Sequence, residues 1–155
     1  MDQPHTLRIR RLSDQDYPQL HSALVSAGLP SEDIRLPGRT FYRFDRAGVT
    51  LGYGGFERYG DQGLLRSLVI EAAHRGQGWG MQVTAEIEAL ARAAGILQLH
   101  LLTTSATAFF ESCGYRVQPR AMAPLAIAGT TQFQDLCPAS ATYLSKTLAP
   151  GAAGQ

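Results

Sequence analysis

Arg75-Gly76-Gln77-Gly78-Trp79-Gly80 decides how this chain is read. The stretch follows a predicted strand, Leu64 to Glu71, and opens a predicted helix from about Gly78 to Ala94. A loop so placed aims several backbone N–H groups and the positive end of the helix dipole at one point. Its glycines remove the side chains that would keep a pyrophosphate off the backbone, and Arg75 adds a formal charge. Six residues alone carry little weight, because an ordinary glycine-rich turn has the same composition. A Walker loop would end in Gly-Lys-Ser/Thr, but the sole lysine of the chain is Lys146. A dinucleotide fold would set its glycine turn after the first strand of a parallel series. Here the turn follows an antiparallel hairpin, which argues against that fold.

The hairpin is read from Thr40 to Asp45, the turn Arg46-Ala47-Gly48 and the return strand Val49 to Arg58. Gly52, Gly54 and Gly55 thin that strand and suggest a bulge or a close backbone approach. Gly60-Asp61-Gln62-Gly63 reads as a four-residue hairpin loop before the strand at Leu64. N-terminal to this, Leu7 and Ile9 alternate with Arg8 and Arg10 as a half-buried strand. Ser13 or Asp14 caps a helix whose apolar positions are Tyr17, Leu20, Leu24 and Val25, closed by Gly28. Ser31 to Ile34 is a short acidic turn or helix. C-terminal to the loop helix, with its apolar face Val83, Ile87, Leu90 and Ala94, come a buried strand at Ile96 to Thr104 and a short helix through Phe109, Phe110 and Cys113. A strand from Gly114-Tyr115 to Gln118 follows, then a short helical stretch at Met122 to Ile127 and a last strand, Ala141 to Leu148.

With 155 residues, 45% hydrophobic and 17% charged, the chain fits one globular domain, placed at residues 5–149, followed by a flexible tail at 150–155. Fourteen basic against thirteen acidic residues leave a net charge of +1, so nucleic acid is not expected as a partner. No apolar run has the length of a membrane span, and Met1 to His5 lacks a signal-peptide core, so a cytoplasmic protein is expected. Cys113 and Cys137 are too few for a disulfide framework or a zinc site, and no metal is expected.

Arg75, Gly78 and Gly80 match the Gln/Arg-x-x-Gly-x-Gly/Ala signature of the GNAT acetyltransferases. The order strand, helix, hairpin, strand, loop, helix, strand, helix, Gly-Tyr, strand matches as well, over almost the whole chain. The sequence therefore resembles that family. The resemblance implies an α/β (α+β) fold with a mixed, twisted central sheet of about seven strands and helices on both faces. Its parallel fourth and fifth strands would splay to admit acetyl-CoA as co-substrate. It also implies that the backbone N–H groups of Arg75, Gly76, Gln77, Gly78, Trp79 and Gly80 take the pyrophosphate. Pantetheine would lie along Leu68, Val69 and Ile70, with the Leu68 N–H facing the thioester carbonyl as an oxyanion donor. Thr103 stands in place of an asparagine that commonly contacts the cofactor. A homodimer is a further implication. Gly-Phe-Glu-Arg-Tyr-Gly (55–60), Leu-Leu-Arg-Ser (64–67), Leu-Leu-Thr-Thr (101–104) and Leu-Cys-Pro-Ala-Ser-Ala (136–141) are similar to the family's arsenic-resistance acetyltransferases. That likeness implies a link to arsenic resistance without naming a substrate.

N-acetyl transfer by direct attack needs a polarised carbonyl, a deprotonated amine and a departing thiolate. Many relatives protonate the thiolate with a tyrosine in the helix after the fifth strand. Phe110 holds that position beside the cofactor, and it has no proton to give. Tyr115, Ser67 and Tyr143 are the alternatives, left open at this point. For the base, Glu57 is the candidate, because Arg66 stays protonated. A four-residue loop would pair Tyr59 with Leu64 and set Glu57 opposite Arg66 on one face. The bland alternative is a structural ion pair worth at most ~1 kcal/mol. Against it, Arg66 interrupts an apolar strand, where a lone charge is expensive. A cation and an anion side by side would suit a zwitterion, so the acceptor is expected to be a small, amino-acid-like amine. Glu57, Arg66 and Ser67 form the expected catalytic set. His100 reads as a core histidine, His74 as exposed beside the loop, and Trp79 as packing or shielding. Cys113 and Cys137 would be soft ligands for trivalent arsenic if the protein bound an arsenical or acyl-CoA without turnover.

Overall fold

A computed structural model describes residues 7–136 and 140–148. The expectations for Cys137, for residues 5–6 and 149, and for the tail at 150–155 lie outside the described residues. Seven strands are hydrogen-bonded in the order β1-β2-β3-β4-β5-β7-β6. They are β1 (Arg8–Arg11), β2 (Arg39–Arg46), β3 (Val49–Tyr59), β4 (Gln62–Ile70), β5 (Gln98–Thr103), β6 (Arg116–Gln118) and β7 (Thr142–Thr147). The helices are α1 (Tyr17–Ser26), α2 (Trp79–Ala93), α3 (Thr107–Ser112) and α4 (Leu125–Ala128). β4 and β5 are parallel, whereas β1–β2, β5–β7 and β6–β7 are antiparallel. The sheet is therefore mixed, as expected. The chain divides into two compact units, one up to Phe56 with Arg66–Ile87, the other Glu57–Leu65 with the chain from Glu88 onward.

In the first unit, Leu20 and Leu24 of α1 bury against Leu12, Ile34, Phe41, Tyr53 and Val69. Val25, read from the sequence as part of that face, is 58% exposed. The glycines of β3 serve close approach. A Cβ on Gly52 would collide with the Val69 carbonyl, one on Gly55 with the Thr40 carbonyl, and one on Gly54 with the Ile87 side chain of α2. Tyr53 and Gly54 are neighbours and point to opposite faces. α1 and the start of α2 consequently cover opposite faces of the sheet. The buried stripe of α2 runs through Val83, Thr84, Ile87, Glu88 and Ala91, turned slightly from the face the sequence predicted.

The second unit packs Leu64, Leu102, Ile127, Phe133, Ala141 and Tyr143 together, with Tyr59 and Ala123 at the edge. Its β4–β5 ladder pairs Gln62 with Gln98, Gly63 with Leu99 and Leu64 with His100. Between β6 and β7, Pro119 and Pro124 break the predicted single helical stretch into a short 3-10 turn, Arg120–Met122, and α4.

Candidate active site

β4 ends at Ile70, a 3-10 turn spans Ala72–His74, and α2 begins at Trp79. Between them Gly76 (φ 75°) and Gly78 (φ 86°) adopt the left-handed conformation that glycine accepts without a steric penalty. A Cβ on either would meet no atom within 4 Å, and Arg75 to Gly78 are all exposed. The loop is an open cradle of bare backbone ahead of a helix N-terminus. That shape fits the phosphate group expected there, which must touch main-chain N–H groups directly. The Arg75 side chain braces the loop, its Nε donating to the Ile70 carbonyl at 2.8 Å. Trp79 is half-buried: its Nε1 donates to Gln77 Oε1 at 3.2 Å, and the Arg46 guanidinium lies over its ring at 5.2 Å.

Within β4, Ser67 has φ 61°, a left-handed residue inside a strand. Such a residue marks a bulge, which re-aims the side chains around it. Arg66, just before it, is buried with its side chain 1% exposed, and it is not a lone charge. Its Nη1 donates to Asp33 Oδ2 at 2.5 Å, and its Nε donates to Ser67 Oγ at 3.3 Å. Arg39 Nη2 donates to the same Asp33 oxygen at 2.9 Å. Burial alone would raise the Asp33 pKa, but Arg66 and then Arg39 outweigh it and hold the carboxyl below its ordinary value. Asp33 Oδ1 is buried with no hydrogen-bond partner. Sequence reasoning missed Asp33. The available signal was an acid set between Leu29 and Ile34, both of which pack into the apolar core of this unit.

The hairpin loop between β3 and β4 is a correction. It has two residues, Gly60 and Asp61, and not four. Gly60 has φ 66°, the left-handed first position that a tight two-residue hairpin turn requires. Gly63, read as loop, lies in the strand, where a Cβ would collide with the Ile96 and Leu99 side chains. Tyr59 and Gln62 therefore flank the turn. The four-residue turn on which the expected pairing of Glu57 with Arg66 was built is replaced by a two-residue one.

In the second unit Glu57 is fully buried and accepts a hydrogen bond from the Tyr59 hydroxyl. His100 is a core residue, as expected. Its ring contacts the Tyr143 hydroxyl at 2.6 Å through Nδ1 and Gln62 Oε1 at 2.6 Å through Nε2. Gln62 Oε1 can only accept, so the neutral ring carries its proton on Nε2 and Tyr143 donates to Nδ1. Burial lowers the His100 pKa to about 4. Phe110 packs edge-on against Phe109 and Tyr115, at 5.0 and 5.7 Å between centroids. Thr103 Oγ1 accepts from the Ala106 N–H at 3.0 Å and so orders the entry to α3. Tyr115 is 2% exposed, and its hydroxyl has no partner. Burial, then the charge of Glu88, pushes its pKa well above the ordinary value. Lys146 donates to Glu88 at 2.9 Å and to the Cys113 carbonyl at 2.8 Å, beneath which Cys113 keeps a thiol whose pKa burial raises. Among the described residues no three His, Cys, Asp or Glu side chains gather to hold a metal.

Glycine cradles of the Walker and dinucleotide types follow strands of parallel sheets. Here the cradle leaves an antiparallel hairpin, opens α2 and returns through a parallel fifth strand, the arrangement that the GNAT resemblance implies. The sequence model of the acetyltransferase (GNAT) domain matches residues 37–117, just over half of the chain. The chain belongs to the GNAT acetyltransferase family. Mouse N-alpha-acetyltransferase 80 is 34% identical over 74 residues, which are 46% of this chain and 24% of that protein. The chain thus spans about a quarter of that relative's length. N-acetylglutamate synthase of Neisseria gonorrhoeae, complexed with coenzyme A and N-acetyl-glutamate, superposes with a TM-score of 0.77 at 18% identity, over 95% of this chain and 36% of the synthase. A GNAT acetyltransferase of Staphylococcus aureus Mu50 gives 0.74 at 14% identity, over 93% of this chain and all of the other. At such identities these structures establish the fold. No helix among the described residues is long and apolar enough to cross a membrane.

Proposed function

We propose that this chain transfers the acetyl group of acetyl-CoA to the nitrogen of a small, amino-acid-like amine by direct attack on the thioester. The open cradle at Gly76 and Gly78, ahead of the α2 N-terminus, carries this reading. The N–H groups of Arg75 to Gly80 hold the pyrophosphate, and the edge of Leu68, Val69 and Ile70 holds pantetheine. The family resemblance assigns Thr103 and Phe110 to the donor as well. Bound there, acetyl-CoA supplies an activated carbonyl. The Leu68 N–H would donate to the carbonyl oxygen, and Glu57 is the side chain assigned to take the ammonium proton. Arg66 and Ser67 complete the catalytic set.

Support for an acceptor bearing a carboxylate comes from Arg66, whose planar guanidinium can grip a carboxylate bidentately. An N-acetylated amino acid is also what the gonococcal synthase holds. Within that substrate class, the runs that resemble those of arsenic-resistance acetyltransferases favour an organoarsenical amino acid. A cytoplasmic homodimer is part of the same proposal.

A thiol-release assay with acetyl-CoA and a panel of amines tests it, each amino acid being paired with its decarboxylated amine. We expect turnover with amino acids and a higher KM for their decarboxylated partners. Background release with every amine, alongside tight arsenite binding, would overturn the proposal in favour of a binding protein.

A further inference from the structure

Phe110 cannot protonate a departing sulfur, and the environments of the three alternative hydroxyls differ. Tyr143 already donates to His100 Nδ1 at 2.6 Å. Tyr115 is sealed in the core beside Glu88, 2% exposed. Ser67 is half-buried, and its Oγ accepts from Arg66 Nε, so its own proton points elsewhere. Resting on the acetyltransferase reading above, we infer that the Ser67 hydroxyl is the proton donor to the departing sulfur and that Asp33, acting through Arg66, is the positioning residue that holds it in place.

The geometry is one line of contacts inside the first unit. Asp33 Oδ2 holds Arg66 Nη1 at 2.5 Å, and Arg66 Nε reaches Ser67 Oγ at 3.3 Å. Arg39 grips the same carboxylate oxygen at 2.9 Å, and the Phe41 ring lies 5.8 Å beneath the Arg66 guanidinium. The clamp is buried on every side chain, with Asp33 4% exposed. It ends on a serine whose backbone sits at φ 61°, a conformation that a residue with a Cβ keeps only when its surroundings impose it. Ser67 directly precedes Leu68, the residue assigned to the thioester carbonyl oxygen. The hydroxyl therefore stands one residue from the oxyanion donor.

In the step itself, the nitrogen has bonded to the acyl carbon and the carbon–sulfur bond breaks. Ser67 gives its O–H proton to the sulfur and takes the N–H proton of the newly bonded nitrogen. The products are an amide and a thiol, and Ser67 is again a neutral hydroxyl. The Arg66 Nε–H faces the oxygen while it carries partial negative charge, which favours the transfer.

Ser67→Gly tests the donor, because glycine accepts the left-handed backbone and deletes only the hydroxyl. The first readout is the thiol pKa of bound coenzyme A, followed by thiolate absorbance. Affinity by calorimetry and kcat accompany it. We expect Ser67→Gly to bind coenzyme A within about threefold of the parent. Its bound thiol pKa should rise by about one unit, as a donor to the thiolate is lost, and kcat should fall about 10²-fold. Asp33→Asn should raise the same thiol pKa, and Asp33→Glu should restore it. Unchanged thiol pKa and kcat in Ser67→Gly overturn the inference. A parental thiol pKa in Asp33→Asn overturns the positioning role. Failure of the parent protein to bind coenzyme A would instead sink the acetyltransferase reading, a separate and distinguishable result.

Discussion

Asp33→Ala should be among the most damaging single substitutions in this chain. Asp33 is 4% exposed and accepts from two guanidinium groups whose side chains are 1% and 8% exposed. Removing the carboxylate leaves both cations in the interior without it. Deleting one partner of a buried ion pair costs about 3–5 kcal/mol, because the surviving charge stays desolvated. Set against a total stability of about 5–15 kcal/mol, that is a large share. At about 2–4 °C per kcal/mol for a chain of this size, the melting temperature should fall by about 6–20 °C. Urea unfolding at pH 7 measures it, with the m-value checked for constancy. Asp33→Asn, which keeps an acceptor for Arg66, should lose less. The pH dependence follows from the lowered pKa of Asp33. The unfolded chain takes up the proton first, so the contribution is complete above the ordinary carboxylate pKa, about 4, and is lost as pH falls through the folded value. A loss below about 1 kcal/mol, the range of a surface pair, would refute the reasoning.

His100 titrates lower in the fold than in the unfolded chain, about 4 against 6.5. Stability should thus fall as pH drops from 6.5 towards 4, and His100→Gln should flatten that slope in a pH series of thermal melts. Gly54→Ala should destabilise by about 1–3 kcal/mol through overpacking against Ile87. Ile87→Val in the same chain should recover part of the loss, and an additive double mutant would show that the two residues do not meet. Phe110→Leu should weaken packing against Phe109 and Tyr115 yet leave the shape of the pH–rate profile unchanged. Disappearance of its basic limb would mean that the proton donor lies on α3.

The loop, the helix it opens and the order of elements along the chain were legible because they depend on local chemistry. Glycines at φ-demanding positions and apolar alternation act over a few residues. The long-range partners were not. Asp33 and Arg66 are 33 residues apart, and nothing local to either announces the other. The hairpin turn was misjudged for a physical reason as well. Gly63 carries a loop residue's identity but a strand residue's environment, since Ile96 and Leu99 leave no room for a Cβ. The left-handed serine was hidden too, because sequence reading looks for glycine at such positions.

The most direct test of the account is a calorimetric titration of acetyl-CoA into the parent chain and into Gly78→Val. Gly78 has φ 86° and open space where a Cβ would stand. A valine there strains the loop and projects into the cradle, while nothing nearby is displaced. The account predicts saturable binding to the parent and affinity at least about tenfold weaker in the folded variant, a loss of about 1.4 kcal/mol or more. Equal affinity in the two proteins would contradict it.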